Sequence, residues 1–210
     1  MSYGVYVTTS LDGERPVGCI TNSIMQITSE PATIAVSVNH NNYTNGCIEK
    51  TGKFAFSILG EHSDPSLIGT FGFQSSRNTD KFAGVEYELA EEIPVIKDSL
   101  GYVVCRVINK METATHTVFL GEVIAAETYD KKDEAMTYAY YHKVVKGKSP
   151  KNAPTYLPEE EPAAEKQPEE KKLSKWKCQI CGYVYEGEEL PADYKCPICG
   201  MPADKFSKVE

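Results

Sequence analysis

Between Trp176 and Gly200 the chain carries two Cys-x-x-Cys pairs, Cys178/Cys181 and Cys196/Cys199, and nothing else narrows its possible folds as far. Fourteen residues separate the pairs, and a glycine, Gly182 or Gly200, follows each. Two thiolates three positions apart can face one ion if the backbone turns tightly around it. A glycine after the second cysteine lets that turn adopt positive φ and brings N–H groups toward the sulfurs. Four thiolates in a tetrahedron fit zinc or a single iron. On the cysteines alone a structural zinc ribbon fits as well as an iron centre.

The aromatic residues favour iron. Trp176 precedes the first pair, Tyr183 and Tyr185 follow it, Tyr194 precedes the second pair and Phe206 follows it. Structural zinc needs no such coat, whereas burial and N–H···S bonds set the potential of an electron-transfer iron. The segment W-K-C-x-x-C-G-Y-x-Y, then C-P-x-C-G-x-x-x-x-x-F, resembles rubredoxin. Its insert between the pairs is shorter than in full-length rubredoxins, as in the small rubredoxin-like modules fused to rubrerythrins. The resemblance implies one iron held by Cys178, Cys181, Cys196 and Cys199.

At 210 residues the chain suits one ordinary domain plus something small. A cysteine unit of residues 174–210 has too little core to fold alone, so the metal supplies part of its folding free energy. The net charge of −8 argues against nucleic acid and anionic membrane as partners. No run is long and apolar enough for a bilayer span, and no signal segment opens the chain, which suggests the cytoplasm. Cys19, Cys47 and Cys105 are scattered singly, as in a reducing compartment, and read as small buried apolar residues.

Residues 1–156 read as a mainly β domain. Strands are expected over residues 3–9, 15–20, 33–38, 54–59, 102–108, 117–126 and 138–145, with an Asp12-Gly13 hairpin turn. Short helices are expected over 46–50, closed by Gly52, and over 67–71, opened by Asp64-Pro65. Many short strands with few helices suggest an antiparallel barrel or sandwich. Residues 157–173, rich in Pro, Glu and Lys without an aromatic, read as a flexible linker. Fifteen such residues span about 20 Å r.m.s. as a coil and at most about 50 Å extended.

There is no dinucleotide-binding glycine fingerprint, no phosphate-binding loop of the nucleotide triphosphatases and no serine-protease-like elbow. Two polar stretches, 21–28 and 39–45, each follow or precede an apolar strand. Their Thr, Ser, Asn and Gln side chains can cap turns and helices, or the second can hold a phosphate at a helix N-terminus. The residues by themselves leave both readings open.

The segments T-N-S-I-x-Q-I-T-x-x-P-x-T-I-A-V-S-V-N and N-Y-T-x-x-x-I-x-x-T-G-x-F-A-F-S-I-L resemble the FMN-binding split-barrel flavin reductases. So do R-N-T-D-K-F at 77–82 and H-T-V-F-L-G-E-V at 116–123, although Thr115 replaces the acidic residue usual before the His-Thr pair. The ending at 140–156 is similar to ferric and flavin reductases of anaerobes. The resemblance implies a split barrel with FMN near a homodimer interface. It places Thr21, Asn22, Ser23, Ile24 and Gln26 along the isoalloxazine. It assigns ribityl and phosphate to Ser37, Val38, Asn39, Asn42, Tyr43 and Thr44, with Arg77, Lys81, Tyr141 and His142 as neighbours.

Taken together, the two resemblances imply one electron path. NADH or NADPH delivers two electrons at once and the iron accepts one, so a flavin, stable in both regimes, stands between them. Such a fusion resembles the high-molecular-weight rubredoxins, NADH-linked donors to flavodiiron oxygen or nitric oxide reductases. Two alternatives stand beside it. One is a ferric or flavin reductase acting on soluble iron complexes or free flavin; the other is a non-catalytic flavin-binding protein with a zinc-ribbon tail.

Overall fold

The computed structural model describes residues 3–145, 147, 174–187 and 189–209. The linker read at 157–173 lies outside the described residues. The first unit is built on a seven-stranded sheet in the order β2-β1-β5-β8-β9-β4-β3, with every pairing antiparallel. The strands are β1 (Tyr6–Asp12), β2 (Arg15–Thr21), β3 (Ile24–Ser29), β4 (Ala32–Asn39), β5 (Lys53–Ile58), β8 (Gly101–Glu112) and β9 (His116–Thr128). A separate hairpin, β6 (Tyr87–Ala90) with β7 (Ile93–Ile96), packs against β1 and β5.

The sheet curls around one apolar interior. Cys19 of β2, Val36 and Val38 of β4, Phe54 and Phe56 of β5, Cys105 of β8 and Phe119 of β9 meet there, with Ile48 of helix α1 (Tyr43–Thr51). Residues from five strands can share one cluster only if the sheet closes on itself, which makes the unit a split barrel. Gly121 gives room for this closure: a Cβ there would stand 2.6 Å from Cys105 Cβ and 2.8 Å from the Phe54 ring. Small residues opposite large ones fill the taper of a small barrel. Cys19, Cys47 and Cys105 are buried, and burial pushes the Cys105 thiol up to about 12, so these thiols pack rather than react.

Local chemistry explains the helices. Asn42 caps α1 by accepting from Thr44 N–H at 3.1 Å, and Gly52 closes it in the left-handed region at φ 65°. Asp64 caps α2 (Pro65–Phe73) by accepting from Ser66 N–H at 2.8 Å, with Pro65 at the first helical position. Helix α2 is apolar nearly all round, as a helix covered on more than one side must be.

Three expectations change. The stretch 138–145 forms not a strand but helix α3 (Tyr138–Lys143), because Thr137 caps it by accepting from Tyr140 N–H at 3.0 Å. Helix α1 begins three residues before the expected start, since the polar residues 43–45 are its first turn. Part of the polar stretch 21–28 is strand β3, which is exposed along nearly its whole length.

The cysteine unit has a three-stranded sheet, β11 (Val184–Gly187), β10 (Ser174–Cys178) and β12 (Phe206–Val209). Among the described residues no helix is long and apolar enough to cross a membrane.

Candidate flavin site and four-cysteine metal centre

Each cysteine pair forms the same tight turn. Gly182 N–H donates to Cys178 O at 2.9 Å and Gly200 N–H donates to Cys196 O at 2.8 Å. Both glycines have positive φ, 78° and 67°, as the sequence requires of them. Cys178 N–H donates to Tyr183 O, and Cys196 N–H to Met201 O, so each turn is closed from its far side as well. The result is two knuckles facing each other. Cys178 Sγ lies 3.6 Å from Cys199 Sγ, Cys181 Sγ lies 3.4 Å from Cys196 Sγ, and all four sulfurs fall within 4.8 Å of one another. A tetrahedral ion with metal–sulfur bonds of about 2.3 Å sets its sulfurs about 3.8 Å apart, so the donor set fits one ion.

The thiols crowd one another electrostatically. The Cys196 thiol is held far below its usual range by the hydrogen bond from Cys181, while bonding to Cys196 pushes Cys181 far up. A cation relieves this competition by allowing every sulfur to lose its proton. Around the knuckles, Tyr185 meets Tyr194 at 4.6 Å between centroids, and Tyr194 meets Phe206 edge-on at 5.5 Å. Of the coat read from the sequence, Tyr183 and Phe206 pack against the cysteine cluster and Tyr185 and Tyr194 stack beside them.

In the barrel, β2, β3, β4 and the start of α1 converge. Ser37 N–H donates to Ser23 O at 3.0 Å, and Ile24 pairs with Val36. Asn45 ties α1 to β4 by donating to Val38 O at 2.9 Å. Thr21 shares a 2.7 Å bond with Thr8, and Ser23 donates to Asn22 Oδ1. Thr21, Asn22, Ser23, Ile24, Ser37, Val38, Asn39, Asn42, Tyr43 and Thr44 thus belong to one contiguous region, with Gln26 further along exposed β3. Arg77 joins them from the loop after α2, its guanidinium 5.1 Å above the Tyr43 ring.

Two features of this region suit a phosphorylated ligand. Among the described residues the Thr44 hydroxyl is buried beside the Cys19 thiol, with no oxygen or nitrogen partner. The Arg77 side chain forms no ion pair among the described residues. Arg15, which sequence reasoning passed over, also lies over Tyr43, at 5.6 Å, and pairs with Asp12 at 2.8 Å. That pairing, then the bond from Tyr43, holds the Asp12 carboxyl below its usual range.

Three more of the residues expected beside the flavin have the following partners. Lys81 is buried, and its ammonium donates to Gly18 O at 2.9 Å and Phe71 O at 3.1 Å, stitching α2 to β2. Burial lowers it to about 8. Tyr141 and His142 sit on α3. Tyr141 is buried in the apolar cluster that contains all four knuckle cysteines together with Leu67, Ile68 and Phe71 of α2. His142 Nδ1 bonds Gly147 O at 2.7 Å.

The same cluster shows the cysteine unit seated on the barrel. A Cβ built on Gly69 of α2 would stand 2.5 Å from Cys199 Cβ and 2.8 Å from Cys199 O. One on Gly200 would stand 3.2 Å from Ser66 Cβ. Neither contact was legible beforehand; its one sequence signal is a pair of small residues, Ser66 and Gly69, three apart on an apolar helix.

Comparisons with known proteins agree with this architecture. Residues 1–148 match the family described as flavin reductase like domain, and residues 176–207 match the rubrerythrin, rubredoxin-like domain. The chain is 38% identical to the high molecular weight rubredoxin of Moorella thermoacetica, over 100% of this chain and 96% of that one. It is 37% identical to a ferric-chelate reductase (NAD(P)H) of Archaeoglobus fulgidus, over 75% of this chain and 94% of that one. Among solved structures, an NADH:FAD oxidoreductase from Streptomyces globisporus, in complex with NAD and FAD fragments, superposes with a TM-score of 0.58 at 26% identity. That match covers 65% of this chain and 81% of the other. The chain belongs to the flavin reductase like domain family, and joins that domain to a rubredoxin-like domain with a four-cysteine metal centre.

Proposed function

We propose that this oxidoreductase takes electrons from NADH or NADPH on FMN in the barrel and passes them singly through a four-thiolate iron to an acceptor protein. The observation that carries the reading is the seating of the knuckles on the barrel that holds the flavin region. In this reading the chain divides into a flavin domain at 1–156, a linker at 157–173 and an iron domain at 174–210. The likeness to the Moorella protein over the whole chain supports it. So do the nicotinamide donors named for the Archaeoglobus and Streptomyces relatives. The acceptor is assigned to the flavodiiron oxygen or nitric oxide reductases.

The residues divide the work. Bound flavin supplies the conversion between two-electron and one-electron transfer. The backbone of Thr21, Asn22 and Ser23, with Ile24 and Gln26, lines the ring. Ser37, Val38, Asn39, Asn42 and Tyr43 hold the ribityl chain and phosphate, Thr44 offers its buried hydroxyl, and Arg77 supplies the matching positive charge. No side chain acts as acid or base; the protein's part is placement and exclusion of water. Strand β3, an edge strand with Met25 and Ile27 exposed, is the face on which a second copy completes a homodimer.

An anaerobic titration with NADH tests this reading. The red thiolate-to-iron bands should bleach as the flavin hands its electrons on, and the yellow flavin band should follow once the iron is reduced. Iron bands that persist after the flavin has bleached would refute it. The Archaeoglobus relative, named as a ferric-chelate reductase, favours a second reading, reduction of soluble ferric complexes, because it matches 75% of this chain rather than all of it. Chelate reduction undiminished in a chain lacking 174–210 would support that alternative.

A further inference from the structure

We infer that the Ser66–Gly69 face of α2, backed by Tyr141 of α3, is a built docking seat for the second knuckle, and turns Cys199 toward the flavin region. The inference rests on the electron path proposed above, in which one electron reduces ferric iron to ferrous with the reduced flavin as donor and no atom transferred.

Contact at this seat runs backbone to backbone. The three atoms nearest a Gly69 Cβ all belong to Cys199: Cβ, O and Cα at 2.5, 2.8 and 3.0 Å. Only glycine permits that approach. One turn on, Gly72 meets Ile20 Cγ1 at 3.4 Å from its own Cβ position, and Ile20 directly precedes Thr21 and Asn22. Helix α2 therefore touches the metal ligand at one turn and the flavin strand at the next. Lys81 fixes this relation by binding Phe71 O and Gly18 O together. A second observation is independent of the glycines. The Tyr141 hydroxyl is buried with no partner, in the cluster it shares with the four cysteines. It lies in one cluster with the four cysteines, whose thiolates can accept from a phenol. The seat covers the Cys196–Gly200 knuckle, so an outside acceptor must compete with α2 for it or use the Cys178–Gly182 knuckle.

The test is Gly69→Leu in the full chain. Leucine suits a helix interior better than glycine, and the nearest atoms it meets are those of Cys199, so the barrel keeps its fold. With redox-silent zinc in the site, NMR relaxation reads docking directly. The wild-type units should share one rotational correlation time, and the variant's should separate. With iron in the site, flavin bleaching by NADH should be unchanged while iron bleaching slows about tenfold or more, the effect of an overpacked contact. Tyr141→Phe should lower the iron potential of the full chain, because a hydroxyl dipole buried in the cysteine cluster is removed. Independent tumbling in the wild type, or a variant that tumbles as one body with unslowed iron reduction, would overturn the seat. Uncoupled tumbling with an unchanged iron rate would overturn its role in transfer. Failure of wild-type iron to bleach at all, with tumbling as expected, would instead count against the electron path and leave the seat standing.

Discussion

Cys181 shows what one residue contributes. Its sulfur closes the tetrahedron across from Cys196, and a hydroxyl there binds iron far more weakly than a thiolate. Cys181→Ser should erase the iron bands and leave flavin reduction by NADH nearly intact, since the barrel's flavin region contains none of the ligands; a visible spectrum during turnover checks both. Arg77 is the corresponding test at the flavin. Arg77→Gln should weaken FMN by about 1.5–3 kcal/mol and leave riboflavin, which has no phosphate, unaffected. Equal losses for both ligands in a fluorescence titration would move Arg77 away from the phosphate. Lys81 makes a pH prediction. Its pKa is depressed to about 8 when folded, against 10.5 for the ordinary group. The unfolded chain thus binds this proton more tightly, and stability contributed by the site rises as pH climbs from about 8 toward 10.5. Relative to Lys81→Met, the wild type should gain about 2 kcal/mol between pH 7 and pH 9.5. Urea unfolding at the two pH values measures it, and a constant difference would contradict the burial argument.

At the scale of elements, β3 and α3 carry the lesson. The pattern TNSIMQIT reads as turn and cap chemistry because it lacks a buried apolar alternation, and β3 indeed buries almost nothing within one chain. A strand that exposes both faces is specified by what pairs or packs with it, which its own residues do not encode. If a second copy covers it, Met25→Lys with Ile27→Lys should weaken association by about tenfold or more through like charges set face to face. Sedimentation of the double variant should then show monomer at concentrations where the wild type is dimeric. Segment 138–145 misleads for the opposite reason. YAYYHKVV has the β-branched and aromatic content of a strand, but its Thr137 cap and the burial of Tyr141 on one side favour a helical turn. The ends of α1 and α2, by contrast, were readable because Asp64-Pro65 and Gly52 act locally.

For the whole molecule, the question is how a small metal unit and a barrel cooperate. In the proposed division of the chain, a tether of about fifteen residues would raise the local concentration of one for the other to roughly millimolar, and the α2 seat would give that concentration a specific place to act. Cutting the chain within residues 159–172 should leave both halves folded and coloured. Mixed at micromolar concentration they should reduce iron far more slowly, with a rate first order in the added metal half, because the effective concentration falls about a thousandfold. A rate that is the same in cut and intact protein at low concentration would show that the halves bind tightly without a covalent link. Stopped-flow traces at several concentrations distinguish the two cases.

The sequence by itself determined the metal centre and the flavin reductase barrel. Knuckle chemistry is local: two cysteines three apart, a glycine able to take positive φ and a ring of aromatics define the four-thiolate cluster wherever the unit sits. The barrel was legible because strand patterns and cap residues such as Asp64-Pro65 and Gly52 act over a few positions. Only the tertiary structure decided which residues serve which half. Lys81 gives its ammonium to two backbone carbonyls, one of them next to Cys19 in β2, and Tyr141 packs in the cluster that holds the cysteines. Gly69 and Cys199, 130 positions apart in the chain, meet only because the knuckle folds against α2. A glycine needed for close approach looks, in sequence, like any other helix glycine; its partner is set by packing between units, which no local pattern records.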